Sequence, residues 1–303
     1  MNRLKQLRTR RLYLRFFEVV PDADGRPVPQ ATLVFNQKPS VPVVPVIFLE
    51  NAVFSRKPNP DDLAAKLWRR VQDMAEFNGL ELSPELHLDC DWTTSTRESF
   101  FAFTAALRRQ LSPNQELAVT PRLDQFKNHR VTGVPPADRG VLMAYNMGDI
   151  KALGPGNSII DPVAAARYLP PGQTYPLPLD AALPLFSWAV VFDEHDRYLG
   201  LLTPPPEELN MPDHCQPLGG AMYSVVKPFD SPGGRRILPD WRLRLEESAP
   251  ADLKAVAGLM SRTGVTFNRL IFYHLDEDLI QGWSREELEA TAERLAPIKK
   301  LVD

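Results

Sequence analysis

Cysteine is scarce in this chain. Its 303 residues hold two, Cys90 and Cys215, with no CxxC spacing, which excludes a zinc cluster and a disulfide framework. Cys90 reads as a buried packing residue. The five histidines are dispersed without HxH or HExxH spacing, so neither a metal centre nor another cofactor is expected. There is no GxSxG elbow and no glycine-rich phosphate loop after a strand; "SPGGRR" follows a hairpin and reads as a turn. Charge of one sign is also lacking. Lys plus Arg number 35 against 38 Asp plus Glu, so no nucleic-acid partner is expected. Nor is there a long apolar run: the N-terminal stretch is basic, its apolar part is only strand-long, and Arg15 interrupts it. It is neither a signal peptide nor a membrane span, and the chain reads as soluble.

The chain is 44% hydrophobic and 24% charged, enough for a sizeable core, and no internal repeat is visible. Short apolar runs at 12–20, 41–50, 86–92, 116–123, 140–148, 182–192 and 269–277 read as strands. Helix-period segments at 61–79, 96–112, 249–264 and 284–301 alternate with them, the last opening on a capping box at Ser284 and Glu287. Strands alternating with helices predict an α/β fold on a parallel sheet. Thirty prolines gather in two stretches, 154–178 and 204–239, which read as long loops at one end of the sheet, the second with added strands in "MYSVVKPF" and "WRLRLEES".

The chemistry-bearing string is "LHLDCDWTTST" (86–96). Strand alternation puts His87, Asp89 and Asp91 on one face and Leu88, Cys90 and Trp92 on the other. In a β/α barrel the helix-free face points inward and active sites gather at the C-terminal strand ends. Two carboxyls this close repel, which raises one pKa and prepares one proton donor and one anion. The competing reading is a pair of strand-end acids held by backbone N–H groups or an arginine.

"LDCDWT", followed some fifty residues later by "LMAYN", resembles the motifs of family-18, chitinase-type glycoside hydrolases, DxxDxDxE on the fourth barrel strand and MxYD on the sixth. On that pattern Asp89 and Asp91 match the second and third aspartates, Trp92 the frequent tryptophan and Tyr145 the motif tyrosine. The departures are Leu86 for the first Asp, Asn146 for the Asp after the tyrosine, and Thr93 for the catalytic Glu. Longer strings, among them "LRFFEV", "TPRLDQFKNHRVTGVPP" and "YPLPLDAALPLFSWAVVF", are similar to an uncharacterised bacterial family of chitinase-like barrel proteins, many of which read as lipoproteins.

The resemblance implies one TIM-type (β/α) barrel domain over 1–303, with a loop or hairpin insertion around 204–246. It makes 12–20 the second barrel strand, so the first strand and any export signal are expected to be missing from this sequence, with a periplasmic or lipid-anchored location if such a signal exists. It implies a carbohydrate ligand and, for an active enzyme, a glycosidase in which Asp89, Asp91 and Tyr145 are catalytic. The alternative is a non-catalytic glycan-binding or structural barrel, because a threonine hydroxyl cannot replace the acid. Arg15, Glu18, Arg122, Asn146, Trp188, Asp276 and Glu277 sit in or just beyond strands and are expected to bind substrate. Glu18, Asp276 or Glu277 could supply the missing acid. The plainer readings are a salt bridge from Arg122 to the carboxyl pair, a core role for Trp188, and a strand end starting a helix for Asp276 and Glu277.

Overall fold

The structure, a computed structural model, describes residues 3–295. In chain order its strands are β1 (Leu12–Pro21), β2 (Pro27–Gln30), β3 (Val43–Leu49), β4 (Glu85–Asp89), β5 (Glu116–Val119), β6 (Arg139–Met143), β7 (Leu179–Pro184), β8 (Ser187–Phe192), β9 (Tyr198–Leu202), β10 (Cys215–Gly219), β11 (Met222–Val225), β12 (Phe229–Asp230), β13 (Arg236–Ile237), β14 (Arg242–Glu247) and β15 (Phe267–Tyr273). The fold is α/β, a sheet of the TIM-barrel type with strand order β15-β7-β6-β5-β4-β3-β1-β2. The β1–β3, β3–β4, β4–β5 and β5–β6 ladders are parallel. The edge strand β2 is the exception, an antiparallel hairpin arm paired with the end of β1 from Glu18↔Gln30 to Pro21↔Pro27. A barrel without its first strand is expected to show an open seam between 12–20 and 269–277 or an unusual segment filling it; β15 and β2 stand at the two edges, with the hairpin arm β2 lying beside β1.

The described chain divides into two compact units. The first runs to Met143 and adds Thr174–Ala181 and Val265–Arg269; the second comprises Ala144–Gln173, Ala182–Gly264 and the chain from Leu270.

In the first unit the outer face of the sheet is packed under helices. Helix Pro60–Phe77 starts where the Asn59 side chain accepts from the backbone N–H groups of Asp61 and Asp62, with Pro60 in the first turn. It buries Leu63, Ala64, Leu67 and Val71, spaced at one helical face. Helix Arg97–Gln110 buries Phe100, Phe103, Ala106 and Leu107. Leu86, Leu88, Cys90 and Trp92 join this core, so the alternation read from the sequence holds on β4. The inner face at the strand starts is charged. Arg139 Nη1 donates to both Asp180 oxygens at 3.0 and 2.8 Å, and its Nε to Glu116 at 3.1 Å. Arg269 on β15 donates to Glu85 at 2.5 Å and to the Tyr13 hydroxyl at 3.3 Å. A side chain of the last strand thus reaches β1 and β4, which shows how far the sheet curls. Burial pushes the Tyr13 phenol up to about 12.

The second unit contains a five-stranded sheet, β10-β11-β14-β8-β9, whose ladders are antiparallel. The insertion is thus larger than 204–246, because β8 and β9 belong to it. The run 182–192 is two strands: Pro184, which has no N–H to give a ladder, ends β7, and β8 begins at Ser187. The run 140–148 stops at Met143, and Asn146 turns the chain at φ +54°. The run 116–123 stops at Val119, and Arg122 becomes the cap of helix Leu123–Lys127. The Ser284–Glu287 capping box forms at helix Arg285–Leu295; positions 296–301 of the expected helix lie outside the described residues. No helix of the described residues is long and apolar enough to cross a membrane.

Candidate functional site

The inner face of β4 carries Glu85, His87 and Asp89 in succession from the strand start, and the chain continues to Asp91. His87 is buried, its Nε2 lies 2.7 Å from the Thr120 hydroxyl on the neighbouring chain segment after β5, and its ring meets Tyr13 edge-on at 5.9 Å. Asp89 is partly buried, and the nearby Thr120 hydroxyl favours its ionised form. Asp91 is exposed and accepts from Arg122 Nη1 at 2.9 Å.

Arg122 is placed by its neighbours. Gln125 accepts from the Arg122 backbone N–H at 2.8 Å and donates to the Trp92 carbonyl at 2.8 Å, tying the loop after β4 to the start of the next helix. Trp92 is buried, stacked on Phe100 at 5.5 Å, with its indole N–H bonded to the Thr132 carbonyl. It anchors the loop.

β1 supplies the other wall. A register shift between Arg15 and Phe17 lets Arg15 and Glu18, three positions apart, reach one another; without a bulge they would point to opposite faces. They form an ion pair, and the Arg15 guanidinium lies over the Phe48 ring at 4.8 Å. Glu18 is in register with Phe48, and Phe48 with Asp89. Two strand spacings thus separate Glu18 from Asp89, roughly 10 Å. The first unit brings together Arg15, Glu18, Asp89, Asp91 and Arg122.

At Thr93 the hydroxyl lies 2.9 Å from Ser95 Oγ and 3.2 Å from Thr96 Oγ1, and Thr96 donates to Asn51 Oδ1 at 2.6 Å. The position where the family-18 pattern has an acid is a hydroxyl network at the start of helix Arg97–Gln110.

Burial, and next the charge of Asp91, raise the Asp89 carboxyl to about 6, against the pull of Thr120, Arg15 and Arg122. Of the two carboxyls, Asp89 is the one held above the ordinary carboxylate range. Burial lowers His87 to about 4, opposed by Glu85. The two shifts act oppositely on stability. Between about pH 4 and 6 native Asp89 holds a proton that the unfolded chain has released, so its contribution falls as pH rises; native His87 lacks a proton that the unfolded chain binds, so its contribution rises. Near-cancellation is expected in the wild type over that window. In Asp89→Asn, urea midpoints should instead increase from pH 4 to 6, and a midpoint that fell would contradict the assignment.

The remaining expected residues belong to the second unit. Tyr145 stacks on Tyr273 at 5.5 Å and 4°, with Phe186 edge-on to both. Asn146 is exposed, and its backbone N–H donates to the Ile159 carbonyl. Trp188 is on β8, its indole N–H bonded to Glu246 at 2.7 Å. Asp276 caps helix Glu277–Gln281, accepting from the backbone of Asp278 and Leu279, as the plainer reading had it, and Glu277 is exposed in the first turn. Among the described residues one cluster brings metal-ligand atoms together, Asp193, Glu194 and His195 in the turn after β8. Asp193 there is already engaged by Arg197 and by the backbone N–H groups of His195 and Arg197. Thr120, Asn51 and Thr96 escaped the sequence reading, since single hydroxyl or amide residues on other segments carry no signal of which side chain they will meet.

No family profile matches the sequence, and no curated protein matches it. The fold is shared with solved structures. The family-18 chitinase ChiB from the chitin utilization locus of Flavobacterium johnsoniae superposes with a TM-score of 0.50 at 13% identity, over 97% of this chain and 88% of that one. The Bacillus cereus spore cortex-lytic enzyme SleL gives 0.50 at 12% identity, over 97% and 70%. The C-terminal domain of a Desulfitobacterium hafniense protein gives 0.52 at 11% identity, over 95% and 90%. At these identities the likeness is one of fold: a chitinase-like, family-18-type barrel.

Proposed function

We propose that this protein binds a glycan through the carboxyl pair Asp89 and Asp91 and does not hydrolyse it by the chitinase-type route. The observation that carries the reading is Thr93, a hydroxyl bonded to its neighbours where the acid of that route would stand. Asp89, raised to about 6, can donate to a sugar oxygen while Asp91 accepts. Arg15 and Arg122 hold the neighbouring acids, leaving a polar wall suited to hydroxyl and acetamido groups. The fold it shares with ChiB and SleL favours an amino-sugar polymer, chitin-like or peptidoglycan-like. In the second unit Tyr273, 47% exposed and stacked on Tyr145, offers an aromatic face of the kind that covers pyranose rings.

A second reading, hydrolysis with Glu18 as acid, is favoured by the Glu18–Phe48–Asp89 row. The backbones of Glu18 and Asp89 are roughly 10 Å apart by two strand spacings, just above the roughly 6.5–9.5 Å that separates the carboxyls of inverting glycosidases.

Calorimetric titration with N-acetylglucosamine oligosaccharides and peptidoglycan fragments tests the proposal. Binding is expected in the wild type and a loss of about tenfold or more in Asp91→Asn, the weight of one hydrogen bond to a charged group. Equal affinity in both proteins would remove Asp91 from the site.

A further inference from the structure

Three helices of the second unit enclose a groove that uses none of the residues of the carboxyl-pair site. Helix Pro162–Ala166 forms one wall, helices Pro250–Met260 and Arg285–Leu295 the other, and the volume is about 470 Å³, within the range of small-ligand sites. Helix Pro250–Met260 turns Leu253, Val256, Ala257 and Met260 into the core. On its groove side Lys254, Gly258 and, just past the helix end, Arg262 follow at four-residue steps, the spacing of one helical face. Gly258 has no side chain, and Arg294 lies across that gap: a Cβ there would be 3.8 Å from Arg294 Cγ and Nε. Three cations thus stand in a row, Lys254, Arg294 and Arg262, over roughly 12 Å of helix axis.

The facing wall is apolar, with Val163 and Ala166 on it, and Val163 is 69% exposed. No acid lines the groove, and among the described residues none of the three cations is ion-paired. The acids close by are engaged elsewhere. Asp161 caps helix Pro162–Ala166, accepting from the Val163 backbone N–H at 2.8 Å. Glu287 accepts from the Ser284 backbone N–H and hydroxyl at 2.9 and 2.8 Å, with Lys254 a weaker influence on it.

We propose that this groove binds a single-chain anionic amphiphile, its phosphate or carboxylate head held by Lys254, Arg262 and Arg294 and its aliphatic chain laid along Val163 and Ala166. Neighbouring unpaired cations repel one another, and a single oxyanion with several acceptor oxygens relieves them; guanidinium groups present parallel N–H donors suited to it. The aliphatic stems of the three side chains add apolar surface beneath their charged heads. A wholly polar ligand would leave Val163 uncovered, and a wholly apolar one would bury the cations without a counter-charge.

Titration of the methyl-labelled wild-type protein with dodecyl phosphate, below its micelle-forming concentration, tests this by NMR and calorimetry. The methyl signals of Val163 and Ala166 are expected to move, with a saturable isotherm. Inorganic phosphate and dodecyl maltoside, which separate the anionic head from the chain, should each bind at least about tenfold more weakly, as each forgoes one of the two contributions. Arg262→Gln and Arg294→Gln should each weaken dodecyl phosphate about tenfold, the weight of one hydrogen bond to a charged group. Val163→Asp puts an anion on the apolar wall and should abolish binding. Because Val163 is exposed and acids suit the first turn of a helix, its thermal unfolding should match the wild type, which separates lost binding from lost fold. Signals that move elsewhere while Val163 and Ala166 stay still overturn the proposal. So do equal affinity for either separate part, unchanged affinity in both arginine variants, or binding seen only once micelles form. None of these readouts involves a sugar, so the result stands or falls independently of glycan binding.

Discussion

Thr93→Glu is expected to create hydrolysis where the wild type has none. The substitution places a carboxyl two residues beyond Asp91, at the position where the family-18 pattern carries its acid, and leaves Asp89 and Asp91 untouched. General acid catalysis is typically worth a factor of roughly 100 to 10,000, so release of an aryl leaving group from a chitobioside should rise at least about 100-fold over the wild-type background. The mutation forfeits the Thr93 bonds to Ser95 and Thr96, but Thr93 is exposed, so the fold should tolerate it. Thr93→Gln has the same bulk without the proton and should stay inactive. The gain should disappear in Thr93→Glu combined with Asp91→Asn. A folded, glycan-binding Thr93→Glu that remained inert would contradict the view that the acid at position 93 is what catalysis lacks, and would point to the other departures, Leu86 and Asn146.

The second large effect concerns the charged layer at the strand starts. Asp180 is fully buried between Arg139, which gives it two hydrogen bonds, and Arg269, 3.6 Å away. Burial lifts its carboxyl while the two guanidinium groups pull it back down. Asp180→Ala leaves Arg139, itself only 12% exposed along the side chain, without its buried anion. Breaking a buried pair from one side costs about 3–5 kcal/mol, and urea unfolding should show a loss of that size. Removing both partners, Asp180→Leu with Arg139→Leu, should cost less than Asp180→Ala alone, because no unpaired charge is left in the interior. A loss under about 1 kcal/mol for Asp180→Ala, comparable to an exposed pair, would show that the layer is solvated rather than buried.

That layer also shows where sequence reading ends. Alternation in "LHLDCDW" was enough to place His87, Asp89 and Asp91 on one face and Trp92 in the core, because a strand's two-residue period is a local property. The capped helices were legible for the same reason, each resting on a pattern within a few residues, whereas the missing first strand was legible only through the resemblance, which set 12–20 as the second strand. Glu85, Asp180, Arg139 and Arg269 come from four strands separated by up to 184 positions, and no local pattern announces that they meet. Arg15 and Glu18 were singled out, but their pairing depends on a bulge that the apolar pattern of "LRFFEVV" does not encode. The run 182–192 looked continuous because both strands are apolar, and only Pro184 marks the break. Thr93 is the opposite case: its hydroxyl partners Ser95 and Thr96 are adjacent in sequence, yet only the resemblance made the residue worth noticing.

The most direct measurement of the central claim is a crystal structure of the wild-type protein soaked with an N-acetylglucosamine hexasaccharide near pH 6, read together with mass spectrometry of the soaking solution. An uncleaved sugar hydrogen-bonded to Asp89 and Asp91, with no shorter oligosaccharide in solution, is the predicted result. Shortened products, or a sugar bound away from both aspartates, would contradict it.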